Sequence, residues 1–286
     1  MTISIYLRCL NFCFSLPLLC LIPAILTAAN PSADHVSADS FLVLSVKAEA
    51  LIEKSKILES STWAPLLEKL ALSQPTLHEI LLDRNSSGLN LQSPIRFFAR
   101  VEGKDSSLPS FGLIAMVKDP KKADRTLAEI AESLGIRKKK GKGTRYGKAG
   151  FPLEIGRKGR LCFLLGVAPS TKENESIEER LNGFQNTFLT PGNAKKFPSS
   201  LKAHLNQSSD LALYLDGTGL AKIIEDFWPE DQWKKLLPTL DVLFNRQIGF
   251  HFQSNQGVIK MTATEYSGQT RKEQDEAAPI PMLKQI

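Results

Sequence analysis

The stretch FLVLSVKAEALIEKS, from Phe41 to Ser55, decides the predicted fold. Its first six residues are mostly apolar and include β-branched side chains, as in a largely buried strand. Ala48, Leu51 and Ile52 then recur at the spacing of one helical face. The sequence therefore predicts a strand that leads directly into an amphipathic helix.

A second stretch, from Asp210 to Ile224, has the same outline. With a shift of 169 positions, Leu213 aligns with Leu44 and Leu220 aligns with Leu51. A strand, a short polar joint and a helix are predicted in both places. Internal duplication is one interpretation of this likeness. Two unrelated strand–helix units that share a common pattern are the other, because repeats are normally recognised from several copies.

The first 29 residues have the layout of a secretory signal peptide. Arg8 is their single charge, an apolar run extends from Cys9 to Leu26, and small residues follow. Removal near Ala28 or Ala29 is the favoured interpretation. An uncleaved membrane anchor is the alternative, because the apolar run is nearly long enough to span a bilayer. We therefore expect an exported protein of the periplasm or cell envelope, without a stable transmembrane segment once the leader is removed.

Cysteine usage separates the leader from the rest of the chain. Cys9, Cys13 and Cys20 lie in the leader, which leaves Cys162 alone in the exported part. No internal disulfide can form there, so stability depends on core packing. Cys20 follows two leucines instead of the small residue expected before a lipidated cysteine. Cys162 has only apolar neighbours, so we expect a buried, unreactive thiol.

The pattern of elements predicts an α+β fold with antiparallel sheets and helices packed on one face. The best-defined helix begins after Asp119, which supplies an N-cap, and has Pro120 in its first turn. A hairpin turn is predicted from Gly156 to Gly159. Further strands are predicted at residues 95–101, 111–117, 151–155, 160–165, 211–215, 248–253 and 258–265. Further helices are predicted at residues 62–71, 75–82, 120–134, 172–184, 220–227 and 231–237.

The same patterns suggest how the chain is divided, with two related βαββ-type halves as a possible plan. The boundary between the halves rests on Pro191, Gly192 and Pro198, which interrupt regular structure. The predicted parts are a signal peptide (1–29), a flexible exit (30–39), a first α+β domain (40–185), a linker (186–199), a second, smaller α+β half (200–266) and a disordered tail (267–286).

Three groups of residues after the leader carry a resemblance: Ser37 to Val46, Ser87 to Leu91, and Pro94 to Phe98. Together they resemble an uncharacterised family of exported bacterial proteins, many of them lipoproteins, whose domain has no assigned function. The resemblance covers residues 37–265, and its motifs are structural. This chain lacks the proline expected before the first strand and a lipidation cysteine. The resemblance implies an envelope or periplasmic location and supplies no catalytic residue.

The clearest functional signal is a basic segment within residues 134–160. It holds ten basic side chains against one acid, Glu154, for a net charge of +9. The whole chain carries +6, so the remainder without Arg8 sums to −4. Such a segment can present ammonium and backbone N–H groups to phosphates or sulfates. The alternative is a solvated strand edge whose lysines deter aggregation. The candidate binding residues are Arg137, Lys138, Lys139, Lys140, Lys142, Arg145, Lys148, Arg157, Lys158 and Arg160.

These observations lead us to expect an exported, non-catalytic envelope interaction or scaffold protein. Its expected partners are an envelope protein or an anionic lipid or wall polymer, and export argues against nucleic acid. No cofactor is predicted, because the glycines Gly141, Gly143 and Gly147 match neither a dinucleotide fingerprint nor a P-loop. A hydrolase with an unrecognised serine or carboxylate site is the alternative. No Gly-x-Ser-x-Gly elbow is present, so no catalytic residue is assigned.

No metal site is predicted, because both metal-like patterns are incomplete. His78 and Glu79 begin like a zinc-protease helix, but Leu82 stands at the second ligand position. The stretch Asp83 to Gly88 imitates the first half of a calcium loop, but Pro94 stands where a bidentate glutamate belongs. A helix-ending turn is the favoured interpretation. His251 lies between two phenylalanines, so we expect it to point away from the apolar face of its strand. Metal binding would require the fold to bring together two of the four scattered histidines, His35, His78, His204 and His251.

Overall fold

A computed structural model describes residues 32–55, 58–59, 61–101, 109–140, 143–168, 176–188, 197–227, 243–244, 246–255 and 258–266. The predicted signal peptide (1–29), the predicted helix at 231–237, the predicted tail (267–286) and Lys142 lie outside these residues. Within the described ranges, no helix combines the length and the apolar character needed to cross a membrane.

The described strands form one ten-stranded antiparallel sheet in the order β10-β9-β8-β1-β2-β3-β7-β6-β5-β4. Its outer strands are therefore β10 on one side and the very short β4 on the other. The strands are β1 (Ser40–Val46), β2 (Ile95–Val101), β3 (Pro109–Met116), β4 (Arg137–Lys138), β5 (Thr144–Gly147), β6 (Leu153–Lys158), β7 (Leu161–Val167), β8 (Leu211–Asp216), β9 (Gln247–Asn255) and β10 (Val258–Glu265).

Helices begin and end where local sequence signals place them. The side chain of Asp119 accepts hydrogen bonds from the backbone N–H groups of Lys121 and Lys122, and Gly135 follows the same helix with a φ of 65°. The α-helices of the described residues are α1 (Glu49–Ser55), α2 (Ala64–Ser73), α3 (Pro75–Leu82), α4 (Pro120–Ser133), α5 (Ile177–Phe188), α6 (Ser199–Asn206) and α7 (Gly217–Phe227).

Both predicted strand–helix units are present, and their strands are neighbours in the sheet, third and fourth from the β10 side. β1 leads into α1, and β8 leads into α7. The two strands pair antiparallel, with Val43 opposite Tyr214 and Leu44 opposite Leu213. A strand pair comes after each unit, β2–β3 in the first half and β9–β10 in the second, but α2 and α3 intervene in the first half and residues 228–242 lie outside the described ranges in the second. Whether the halves arose by duplication stays a prediction.

The α+β fold with antiparallel strands is confirmed, but helices cover both faces of the sheet. On β7, Leu165 packs on one face in a cluster with Phe184 of α5. Leu164 packs on the opposite face in a cluster with Leu127 of α4. The prediction of helices on one face is therefore wrong. Leu161 to Val167 contains no polar side chain, which is the pattern of a strand buried on both sides.

Residues 32–39 are packed against the sheet and do not form a flexible exit. Residues 33–35 make a single 3₁₀ turn, and Val36 is fully buried in the same core cluster as Phe98. The buried guanidinium of Arg96 donates hydrogen bonds to Ser32 Oγ and, at 3.3 Å, to Ser45 Oγ. These hydrogen bonds offset part of the free-energy cost of burying the guanidinium charge. The bond to Ser32 also holds the first described residue against the sheet.

The segment predicted as a linker, 186–199, is partly helical. α5 continues to the buried Phe188, α6 begins at Ser199, and residues 189–196 lie outside the described ranges. The sequence patterns did not predict α6, because its apolar signal is limited to Leu201 and Leu205. The pairing of β1 with β8 joins the two predicted domains in one sheet.

Candidate functional site

The basic segment forms the outermost edge of the sheet. β4 pairs with β5, and β5 pairs with β6. No strand was predicted at β4 or β5, because β4 is very short and lysine is a poor strand former. Gly143, with a φ of 87°, allows the tight return from β4 into β5.

Two basic turns lie at the same end of this edge. Thr144, at the start of β5, is opposite Arg157 near the end of β6. The β4–β5 turn and the β6–β7 turn are therefore neighbours. The predicted hairpin between β6 and β7 is confirmed, although its turn lies at Gly159 and Arg160 because β6 extends to Lys158. This end of the sheet brings together basic side chains that are far apart in the sequence.

Three of the candidate binding residues form ion pairs inside the protein. Glu154 is 1% exposed and accepts hydrogen bonds from Arg145 at 2.6 and 3.0 Å and from Lys139 at 3.0 Å. Arg157 makes a two-point contact with Asp124, with both distances 2.7 Å. The hydrogen bond from Arg157 lowers the pKa of the Asp124 carboxyl. These three cations therefore have structural partners.

Six other candidate residues are exposed in the part of the chain that the structure describes. They lie on β4, just after each of β4 and β5, and at the β6–β7 turn. We call this group the basic edge: Arg137, Lys138, Lys140, Lys148, Lys158 and Arg160. The ion pairs of Glu154 do not neutralise these side chains, so the basic edge presents a concentrated positive charge to solvent.

A separate pocket of about 220 Å³ lies between α3 and α4. Glu79 and Asp83 line one side, and Lys122 lies on the other. Arg125 at its rim donates to Glu129 at 2.9 Å. The pocket thus mixes charges of both signs and offers no continuous apolar wall. Among the described residues, no group of three or more His, Cys, Asp and Glu side chains is arranged to hold a metal ion.

The fold brings two of the four histidines together. The ring centroids of His204, on α6, and His251, on β9, are 4.4 Å apart. His251 is 5% exposed, so the prediction that it points away from the buried face is wrong. α6, which the sequence patterns missed, covers this face of β9. His204 and His251 are far apart in the sequence, and the residues next to each histidine do not indicate that the two rings meet.

Hydrogen bonding differs between these two imidazoles. His251 Nδ1 is 3.2 Å from Ser209 Oγ, and its Nε2 is 3.4 Å from Tyr266 Oη. His204 is 1% exposed, and neither ring nitrogen has a hydrogen-bond partner among the described residues. Burial, together with His251 and Arg96, lowers the pKa of His204 to about 3. Burial also lowers the pKa of His251, so both rings are neutral near pH 7.

Two serine contacts bear on the hydrolase alternative. A nucleophilic serine needs a base, which is commonly oriented by an acid. Ser209 contacts His251, but both are buried, and the partners of His251 in the described residues are hydroxyls. Lys47 Nζ lies 3.3 Å from Ser208 Oγ at the surface, and burial lowers the pKa of Lys47. Neither contact shows an oriented acid, and the hydrolase stays a prediction.

Cys162 is buried, as predicted, with 7% of its surface exposed. Burial raises the pKa of its thiol to about 12. At pH 8 we expect an aromatic disulfide reagent to modify the folded protein about 10³-fold more slowly than the protein unfolded in guanidinium, because little thiolate is present. Absorbance of the released thiolate measures both rates. Equal rates would show that Cys162 is accessible and reactive.

Comparisons with known proteins add one distant structural likeness. No family model matches this sequence. No curated protein matches it either. A solved structure titled "Structure of crystal form IV of TP0453" is similar, with a TM-score of 0.42 and 11% sequence identity, over 84% of this chain and 81% of that chain. The resemblance to an exported bacterial family therefore stays a prediction.

Proposed function

We propose that this chain is an exported, non-catalytic protein of the cell envelope that attaches to phosphate-bearing surfaces through its basic edge. Anionic lipid headgroups are the first source of phosphate, and a phosphate-containing wall polymer is the second. The proposal assigns the protein a role in interaction or scaffolding. It is carried by one observation, the six exposed cations that lie on and around β4, β5 and the β6–β7 turn.

The magnitude of the electrostatic attraction is sufficient for attachment. A lysine or arginine close to an anionic bilayer contributes about 1 kcal/mol. Six such groups supply several kcal/mol at low salt, and the attraction weakens as added ions screen it. The rest of the exported chain sums to a negative charge, so this attraction is confined to the basic edge.

Protection of the sheet edge explains only part of the basic edge. Lysines on an outer strand deter pairing with other chains, and this accounts for the charges on β4. It does not account for Lys148, which follows β5, or for Lys158 and Arg160 at the β6–β7 turn. These residues lie inward of the outermost strand, where pairing is already satisfied. Their charges favour a role in binding.

Charge reversal tests the basic edge directly. In the triple variant K138E/K140E/K148E, affinity for phosphatidylglycerol vesicles at low salt should fall at least about 100-fold, because each removed cation contributes about 1 kcal/mol. Vesicle sedimentation measures the affinity, and vesicles of phosphatidylcholine alone should not bind. The matched control, K69E/K222E/K260E, makes the same charge change at exposed lysines on α2, α7 and β10. Equal losses in both variants would show that net charge, and not the basic edge, controls binding.

Two further measurements separate the sources of phosphate and test export. If a soluble poly(glycerol phosphate) binds the wild type while vesicles do not, the source is a wall polymer. If neither binds at about 20 mM salt, where screening is weak, the proposed function fails. Fractionation of the tagged full chain should place it in the envelope with its first 28 or 29 residues removed. Recovery from the cytosol with an intact leader would contradict export.

A further inference from the structure

The buried imidazoles of His204 and His251 lie between α6 and the sheet, away from the basic edge. Their ring centroids are 4.4 Å apart, and both side chains are almost completely buried. A side chain at Gly249 would meet His204 Nδ1 at 2.7 Å, so the ring rests directly on the backbone of β9. The pair therefore forms the contact surface between a short helix and the sheet.

In the part of the chain that the structure describes, no carboxylate faces the pair to stabilise a positive charge. Tyr214 of β8 and Tyr266, just after β10, pack their rings against His204 at 5.5 and 6.2 Å. Arg96 of β2 adds a positive charge to the same surroundings. The carboxylates at the ends of the neighbouring strands are engaged elsewhere, Asp210 with Lys54, Asp216 with Gln247 and Glu265 with Arg246.

We propose that the His204–His251 pair is an acid-sensitive latch, which holds α6 on the sheet when both rings are neutral and releases it when either is protonated. A buried charge without a counter-ion is strongly unfavourable. If both rings were charged, they would also repel each other across 4.4 Å. Movement of α6 into solvent relieves both costs.

Release of α6 would change the surface of the protein. Leu201 and Leu205 of α6 belong to the core cluster that includes Tyr214. They are buried when the latch is closed. Opening would expose them together with the apolar face of β8 and β9 that α6 covers. The latch thus couples acidity to the appearance of an apolar surface, and it is independent of the proposed function of the basic edge.

The sign of the pH effect follows from proton linkage. A histidine in an open or unfolded segment has a pKa of about 6.5, and the closed state lowers it. The open state therefore binds more protons, so the latch is most stable above pH 6.5 and weakens below it. Between pH 7.5 and pH 5.0, His204 alone should raise the open-to-closed ratio about 30-fold. His251 adds to this effect.

Hydrogen exchange at pH 7.5 and pH 5.0, corrected for intrinsic rates, tests the latch in the full chain. Protection of α6 should fall at least about 30-fold at the lower pH, while α4 on the opposite face keeps its protection. In the variant His204→Leu, which has no ionisable group at position 204, the α6 change should shrink to the part that His251 contributes. A second variant, His251→Gln, should reduce the change if the first fails to fold.

The control is His78→Gln, at a histidine on α3 far from the pair in the fold. It should lose α6 protection at pH 5.0 as the wild type does. Parallel loss of protection in α4 and α6 would indicate global acid unfolding and overturn the latch. A wild-type α6 that is insensitive to pH, or an undiminished response in the folded variants, would also overturn it.

Discussion

Replacing Glu154 by glutamine is expected to lower the free energy of unfolding by about 3 kcal/mol. The buried carboxylate receives hydrogen bonds from Arg145, Lys139 and the amide of Gln185. Glutamine keeps the shape but removes the counter-ion of Arg145 and leaves Lys139 with the longer contact to Glu178, at 3.8 Å. The expected loss of stability is at the lower end of the range for buried pairs, because the side chains of Arg145 and Lys139 are still 25% and 23% exposed to solvent. Urea unfolding measures it.

The same substitution should strengthen attachment to anionic vesicles. Without Glu154, Arg145 and Lys139 gain freedom to face a phosphate surface, and each is expected to contribute up to about 1 kcal/mol. Stability and vesicle affinity would then change in opposite directions. Glu129→Gln is the matched control, because Glu129 pairs with Arg125 at the surface and should leave the unfolding midpoint unchanged. Unaltered stability in E154Q would contradict the structural role of Glu154.

Replacing Phe98 by alanine should cost about 3–5 kcal/mol of folding stability. Phe98 is 0% exposed, and its ring centroid lies 6.1 and 5.2 Å from those of Phe184 and Phe188 on α5. Truncation leaves a cavity where β2 meets α5, and the surrounding rings cannot fill it completely. Chemical denaturation, with the midpoint and slope reported separately, gives the change in stability.

The neighbouring residue supplies the control for this substitution. Phe97 lies on the opposite face of β2, is only partly buried and stacks on Phe111 at 6.2 Å. Phe97→Ala removes the same atoms from a less enclosed place, so its loss should be less than half as large. Equal losses at the two positions would mean that the α5 side of the sheet is not the main core.

Local patterns predicted the elements whose signals lie within a few residues. Phe41 to Ser55 predicted β1 and α1, and the cap at Asp119 predicted α4. The strand predicted at 160–165 is β7, although its burial on both sides was not recognised. Such elements depend on periodicity and capping, which a single sequence displays.

The remaining features depend on contacts between distant residues. The net charge of the basic segment can be counted from the sequence. The ion pairs that Glu154 and Asp124 form with three of its cations cannot be predicted from it. His204 lies beside His251 because α6 packs on the sheet. This helix was not predicted, because its two leucines are too few to show a helical periodicity. The local patterns also could not show that helices pack on both faces of the sheet, because the packing partners of a helix are not a local property.

The pairing of β1 with β8 determines when this protein can fold. Val43 and Tyr214 face each other, although 171 positions separate them in the chain. Closing so long a loop is entropically costly, and sheets built on distant pairings form slowly. During synthesis, one side of β1 stays unpaired until β8 has been made. A chain interrupted before Leu211 would keep that open side, and hydrogen-bonding groups of this kind recruit other molecules into aggregates.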